Sequence, residues 1–198
     1  LNLTEEKETE SEIQGIVELQ NIELGCVDLS TPTNLFLQMT GATRCDTEML
    51  DFAKNIVVNK DRQHIALLSE NILQKILYQP ESTSVQTTAI EAFQAGQGVC
   101  QDHAHILIAM CRALQLPARY VSGYLFDQNY PHLASHAWAE VFLENQWYCF
   151  DVSNQLFTPK HHIYLAVGRD YLDVAPIRGV REQGGVENMM SVVQVLAC

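Results

Sequence analysis

The spacing of apolar residues along the chain changes period once, and the change divides it into two regions. From Asp46 onward the spacing is helical, with Met49, Phe52, Ala53, Ile56 and Val57 on one face and Asp46 as the N-cap. A second helix is predicted over 63–77 from the stripe Ile65, Leu68, Ile72 and Ile76, and it breaks at Tyr78-Gln79-Pro80 because proline restricts the residue before it. After a loop of Ser and Thr, Thr88-Ala89-Ile90-Glu91 is a capping-box sequence for a short helix that stops at Gly96, a residue suited to a left-handed cap. Gly96 and Gly98 then frame a tight loop leading into a helix that opens at Cys100, with Ala104, Leu107, Ile108, Cys111 and Leu114 as its core face.

Beyond Leu116-Pro117 the period falls to two. Residues 118–126, 137–143 and 147–151 read as strands, and IYLAVGRD and SVVQV as two more around the irregular YLDVAPIRG segment. Helices followed by antiparallel strands are the pattern of an α+β fold. Ahead of them, residues 1–12 carry five glutamates and one lysine, a density that favours a solvated tail, and 13–40 alternate weakly, as strand or extended wrapping. The expected organisation is an acidic tail and extended segment over 1–40 and a core over 41–198. A chain that begins at Leu1 rather than Met is expected to derive from a longer parent.

Composition narrows the function classes. With 198 residues, 47% of them apolar, the chain can fill a sizeable core and is not a disordered one. A formal charge of -12 has the wrong sign for neutralising phosphates or docking on anionic lipid, so neither nucleic acid nor membrane is an expected partner. The sequence holds no apolar run of about 18 residues and no basic leader, so a cytoplasmic location is expected. The six cysteines, at 26, 45, 100, 111, 149 and 198, contain no C-x-x-C pair and no zinc-like spacing. They read as separate, reduced thiols, with no metal or cofactor expected.

Cys100 differs from the rest. A thiol at a helix N-terminus meets the positive end of the peptide dipoles, which favours thiolate, and its backbone N–H is one of the unpaired donors of the first turn. That supplies a nucleophile and half of an oxyanion hole. His136 and Asp151 add to it: a hairpin turning at Glu144-Asn145 sets His136 opposite Ser153, two residues from Asp151, with diagonal neighbours about 7–8 Å apart on one face. Each residue alone reads as structural; together they have the form of covalent acyl transfer. Among the other polar residues, Asp102 reads as a helix cap, and His103 and His105 diverge by about 200° on their helix and cannot share a metal. Cys111 reads as core filler, Cys149 as a structural strand residue, and His161-His162 as a solvated turn.

The strings GQGVCQDHAH, LPARYVSGYL, SHAWAEVF and WYCFDVSN, in that order, with GRDYLDVAPIRG downstream, resemble the motifs of the transglutaminase-like superfamily, specifically its bacterial transglutaminase-like cysteine peptidase branch. The resemblance covers residues 75–195. It implies a papain-like α+β fold with a nucleophile helix packed on an antiparallel sheet, and a Cys-His-Asp triad that maps by position to Cys100, His136 and Asp151. The family usually has proline and threonine after the aspartate, where this chain has Val152 and Ser153. Relatives also use an aromatic residue upstream of the cysteine as a second oxyanion donor, which maps to Tyr78, with Gln97 as its rival. The implied activity is hydrolysis of a peptide or amide bond through a thioester, with a peptide or protein as substrate. The alternatives are transfer to an amine and a non-catalytic peptide-binding module using the same cleft.

Overall fold

The computed structural model of the chain describes residues 32–126, 135–159 and 161–175. The acidic tail, Cys26, Cys198 and the SVVQV segment lie outside the described residues. The described chain opens on a 3-10 turn, Thr33–Leu37, whose Phe36 is buried.

Two helices follow, each started by an aspartate. Asp46 accepts from Met49 N at 2.9 Å to begin α1 (Thr47–Ile56), and Asp61 accepts from His64 N at 2.9 Å to begin α2 (Arg62–Lys75). The predicted stripe of α2 is fully buried at Ile65, Leu68, Ile72 and Ile76. Each such side chain removed from water contributes about 1.5–3 kcal/mol. The second helix ends two residues earlier than its periodicity suggested, because Leu77–Tyr78 form a short strand, β1. It pairs in parallel with β2 (Gln97–Gly98) through Leu77 N to Gly96 O at 2.9 Å and Gln79 N to Gly98 O at 2.8 Å. Between them α3 (Ala89–Ala95) begins with the predicted capping box of Thr88 and Glu91 and ends at Gly96, whose φ of 68° is left-handed.

The central helix, α4 (Cys100–Ala113), is buried all round from Gln101 to Arg112, so its predicted five-residue core face understates its burial. Its buried arginine is accommodated mainly by backbone carbonyls. Arg112 donates to the carbonyls of Phe36, Ala118 and Arg169 and to the Thr43 hydroxyl, which ties four segments to one guanidinium.

Against α4 lies a four-stranded antiparallel sheet of β3 (Ala118–Leu125), β4 (Ser135–Leu143), β5 (Gln146–Phe150) and β6 (His162–Gly168), in the order β5-β4-β3-β6. Glu144 and Asn145 both adopt positive φ, 50° and 65°, the mirror-image turn that suits a two-residue hairpin. Ala139 therefore faces Phe150, the register expected from the sequence. Ala137, Ala139, Val141 and Leu143 of β4 join the main core with α4, whereas Trp138 packs with Val121 and Cys149 in a second cluster. After β6 the chain turns into a short helix, α5 (Tyr171–Val174), inside the segment expected to be irregular.

Candidate active site

Cys100 is the first residue of α4, after a loop whose shape is fixed by Asp102. The Asp102 carboxylate folds back to accept from Val99 N at 2.8 Å and from the Thr83 hydroxyl at 2.6 Å, the capping role expected for it. A Cβ on Gly98 would lie 2.7 Å from Asp102 Cβ, so glycine here makes room for that carboxylate. The latch leaves Cys100 half-buried at the helix terminus, with its N–H among the donors that the helix cannot pair.

His136 enters from β4. Its Nε2 donates to Asp151 Oδ2 at 2.7 Å, with Asp151 fully buried. The β4–β5 ladder stops at Ala139–Phe150, and Asp151 pairs instead with Leu156, so no Ser153 faces His136 across the hairpin. This early departure forms a turn in which Asp151 Oδ1 accepts from Asn154 N at 3.2 Å and Oδ2 from Asn154 Nδ2 at 2.9 Å. The unexpected Val152 is buried in the core, and Ser153 bonds His103 Nδ1 at 2.9 Å. His103 gives its other nitrogen to Ile76 O at 3.0 Å, so it pins this turn to the end of α2.

The electrostatics follow from these partners. Burial acts to lower the His136 pKa, but its hydrogen bonds to Asp151 and Cys100 and the charges of both outweigh burial and raise it to about 9. Burial likewise works against the Asp151 carboxylate, yet the donors His136, His162 and Asn154 hold its pKa well below the ordinary value. Burial raises the pKa of the other described thiols, Cys45 to about 11, Cys111 to about 12 and Cys149 higher still. Tyr78 lies on the rim, half exposed, its ring 6.1 Å from that of His103. Partial burial, and then the charges of Cys100 and Asp151, raise its pKa, so it presents an O–H donor. Its rival Gln97 is exposed one strand away, on β2.

His162 is the residue that sequence reasoning misplaced. Far from sitting in a solvated turn, it is the buried first residue of β6, and its Nε2 donates to Asp151 Oδ2 at 3.1 Å. The neighbouring His161 is exposed, as expected. A histidine immediately before an alternating strand was the available signal, but only the sheet order, which puts β6 beside β3, brings it to Asp151. The donor atoms of His136, Asp151 and His162 lie within 4.8 Å of one another. A metal ion could enter only by displacing both ring protons and the Asn154 amide, so the group stands as a carboxylate satisfied by N–H donors. His105, buried with its pKa lowered to about 4 by burial, accepts from Tyr171 N at 3.1 Å and is remote in role from this site.

A buried carboxylate that orients a histidine facing a helix-terminal cysteine is an arrangement shared by several folds, and comparison with known proteins decides among them. Residues 51–152 match the family model of the transglutaminase-like superfamily. Over 195 residues the chain is 30% identical to an uncharacterized Mycobacterium leprae protein, covering 95% of this chain and 70% of that one. An uncharacterized protein of Mycobacterium tuberculosis is 38% identical over 125 residues, 57% of this chain and 40% of its own length. A solved structure of a candidate cysteine protease from Cytophaga hutchinsonii is 29% identical and superposes with a TM-score of 0.63, covering 74% of this chain and 51% of that one. Among the described residues no helix is long and apolar enough to cross a membrane. The family match spans the cysteine, the histidine and the aspartate together with the helix and strands that carry them, and the chain belongs to the transglutaminase-like superfamily.

Proposed function

We propose that the protein cleaves peptide or amide bonds by acyl transfer through a thioester on Cys100, with His136 as the proton shuttle and Asp151 as the group that orients it. The observation that carries this reading is the 2.7 Å bond from His136 Nε2 to the buried Asp151, on a ring that also interacts with Cys100. Because Nε2 is committed to Asp151, Nδ1 is the nitrogen that exchanges a proton with the thiol. With His136 raised to about 9, Nδ1 carries the proton shared with Cys100 before substrate is attacked, and in the first step the thiolate Sγ bonds to the substrate carbonyl carbon as the carbonyl π pair moves onto oxygen. The oxyanion that forms is met by the Cys100 backbone N–H and the Tyr78 hydroxyl. Nδ1 then returns its proton to the leaving amine as the C–N bond breaks. Water attacks the thioester, Nδ1 takes the proton from that water, and the thiolate leaves to release the acid.

A peptide acyl donor incubated with a millimolar primary amine tests the fate of the thioester. Free acid is expected to exceed substituted amide. Substituted amide in excess, at amine concentrations far below that of water, would assign the protein to amine transfer instead.

A further inference from the structure

We propose that His162 is a positioning residue of this machinery: by donating to the same Asp151 oxygen that holds His136, it fixes the carboxylate and takes up part of its charge. The inference rests on the reading that His136 shuttles the proton. His162 and Asp151 are both buried, and the 3.1 Å bond between them is made by the one ring nitrogen of His162 that finds a partner. The other, Nδ1, is buried without one. An apolar side chain would fill this place without an unpaired nitrogen, so packing gives no reason for a histidine here.

The surroundings hold the two histidines in a fixed relation. Trp138 packs against both, its ring 4.6 Å from that of His162 edge-on and 5.9 Å from that of His136 in a stacked arrangement, with the two histidine rings 6.2 Å apart. Space for Trp138 comes from Gly123, where a Cβ would fall 2.8 Å from the indole and 2.0 Å from the carbonyl oxygen of Ile163. The register between β3 and β6 shifts between Ser122 and Gly123, and this bulge decides which way the start of β6, and so His162, faces.

The chemical consequence concerns the proton on His136. An oxygen that accepts from three N–H groups, those of His136, His162 and Asn154, offers less negative charge to each. With the His162 donor gone, Asp151 pulls harder on His136, whose proton is then less readily given to the leaving amine. The other titratable groups near this pair are Cys100 and His103 on α4, Tyr78 on β1 and Cys149 on β5.

The test is an NMR titration of the His136 ring in the wild type, His162→Leu and His162→Gln, alongside kcat/KM for an amide substrate. His162→Leu is expected to raise the His136 midpoint by on the order of half a unit and to lower kcat/KM several-fold. His162→Gln, whose amide can still donate, is expected to restore most of both. An unchanged or lowered midpoint in His162→Leu, or a Gln variant that behaves like Leu, would overturn the proposal. If His162→Leu does not fold, His162→Met provides the same comparison. The midpoint is read without substrate, so a protein that turned over no amide would defeat the proposed function while still deciding the role of His162.

Discussion

Replacing Asp151 with asparagine should change the pH dependence of stability in a way that can be worked out from the site. In the wild type His136 is raised from 6.5 to about 9, with burial opposing and Asp151 and Cys100 prevailing. A group raised on folding contributes stability that is fully present below its unfolded pKa and is lost as pH climbs through its folded pKa. At about 1.4 kcal/mol for each unit, His136 should therefore contribute roughly 3 kcal/mol below pH 6.5, and this should be gone above pH 9. Asp151→Asn removes the carboxylate charge and leaves Cys100 alone to oppose burial, so the His136 pKa falls. It also turns an amide N–H toward donors that were aimed at an oxygen, a cost that does not vary with pH. The informative quantity is thus the slope rather than the offset. Urea unfolding of both chains from pH 6 to pH 9.5 cancels the titrations they share, and the gap between them should narrow as pH rises, by up to about 3 kcal/mol. A constant gap would refute the claim that Asp151 holds the His136 proton.

Two further substitutions separate chemistry from architecture. Tyr78→Phe should lower amide turnover by about 10²-fold, the usual effect of losing one oxyanion donor, while Cys100 alkylation by iodoacetamide proceeds at the wild-type rate; equal turnover would remove Tyr78 from the mechanism. Arg112→Met should lower the free energy of unfolding by about 2–4 kcal/mol, because the carbonyls of Phe36, Ala118 and Arg169 lose their donor. A loss under about 1 kcal/mol in urea denaturation would show that those carbonyls find other partners.

The parts of the site that were legible in the sequence are those set by local rules. Asp46, the Thr88–Glu91 capping box, Gly96 and the Glu144-Asn145 turn each act within a few residues, and each appears as expected. The hairpin register follows from the turn as far as Ala139–Phe150, and His136 meets Asp151 as expected, though through the turn in which Asp151 leaves the ladder to pair with Leu156. What local rules could not reveal depends on distant strands meeting. His162 lies 11 residues from Asp151 in sequence, but the bulge at Gly123 and the placement of β6 next to β3 bring the two together. The end of the second helix was misjudged for a similar reason: Leu77 and Tyr78 continue a helical apolar pattern, and only pairing with Gln97–Gly98 makes them a strand. The all-round burial of α4 was equally hidden, since His103, His105 and Arg112 bond to backbone atoms of Ile76, Tyr171 and Phe36, partners that lie far away in sequence.

The central claim is that Cys100 carries the acyl group, and brief exposure to a p-nitrophenyl ester followed by peptide mass mapping tests it most directly. The acyl group is predicted on Cys100 of the wild type, absent from Cys45, Cys111 and Cys149, whose thiols burial keeps protonated at neutral pH, and absent from folded Cys100→Ala. Acylation spread over the other cysteines, or undiminished ester turnover by Cys100→Ala, would contradict the account.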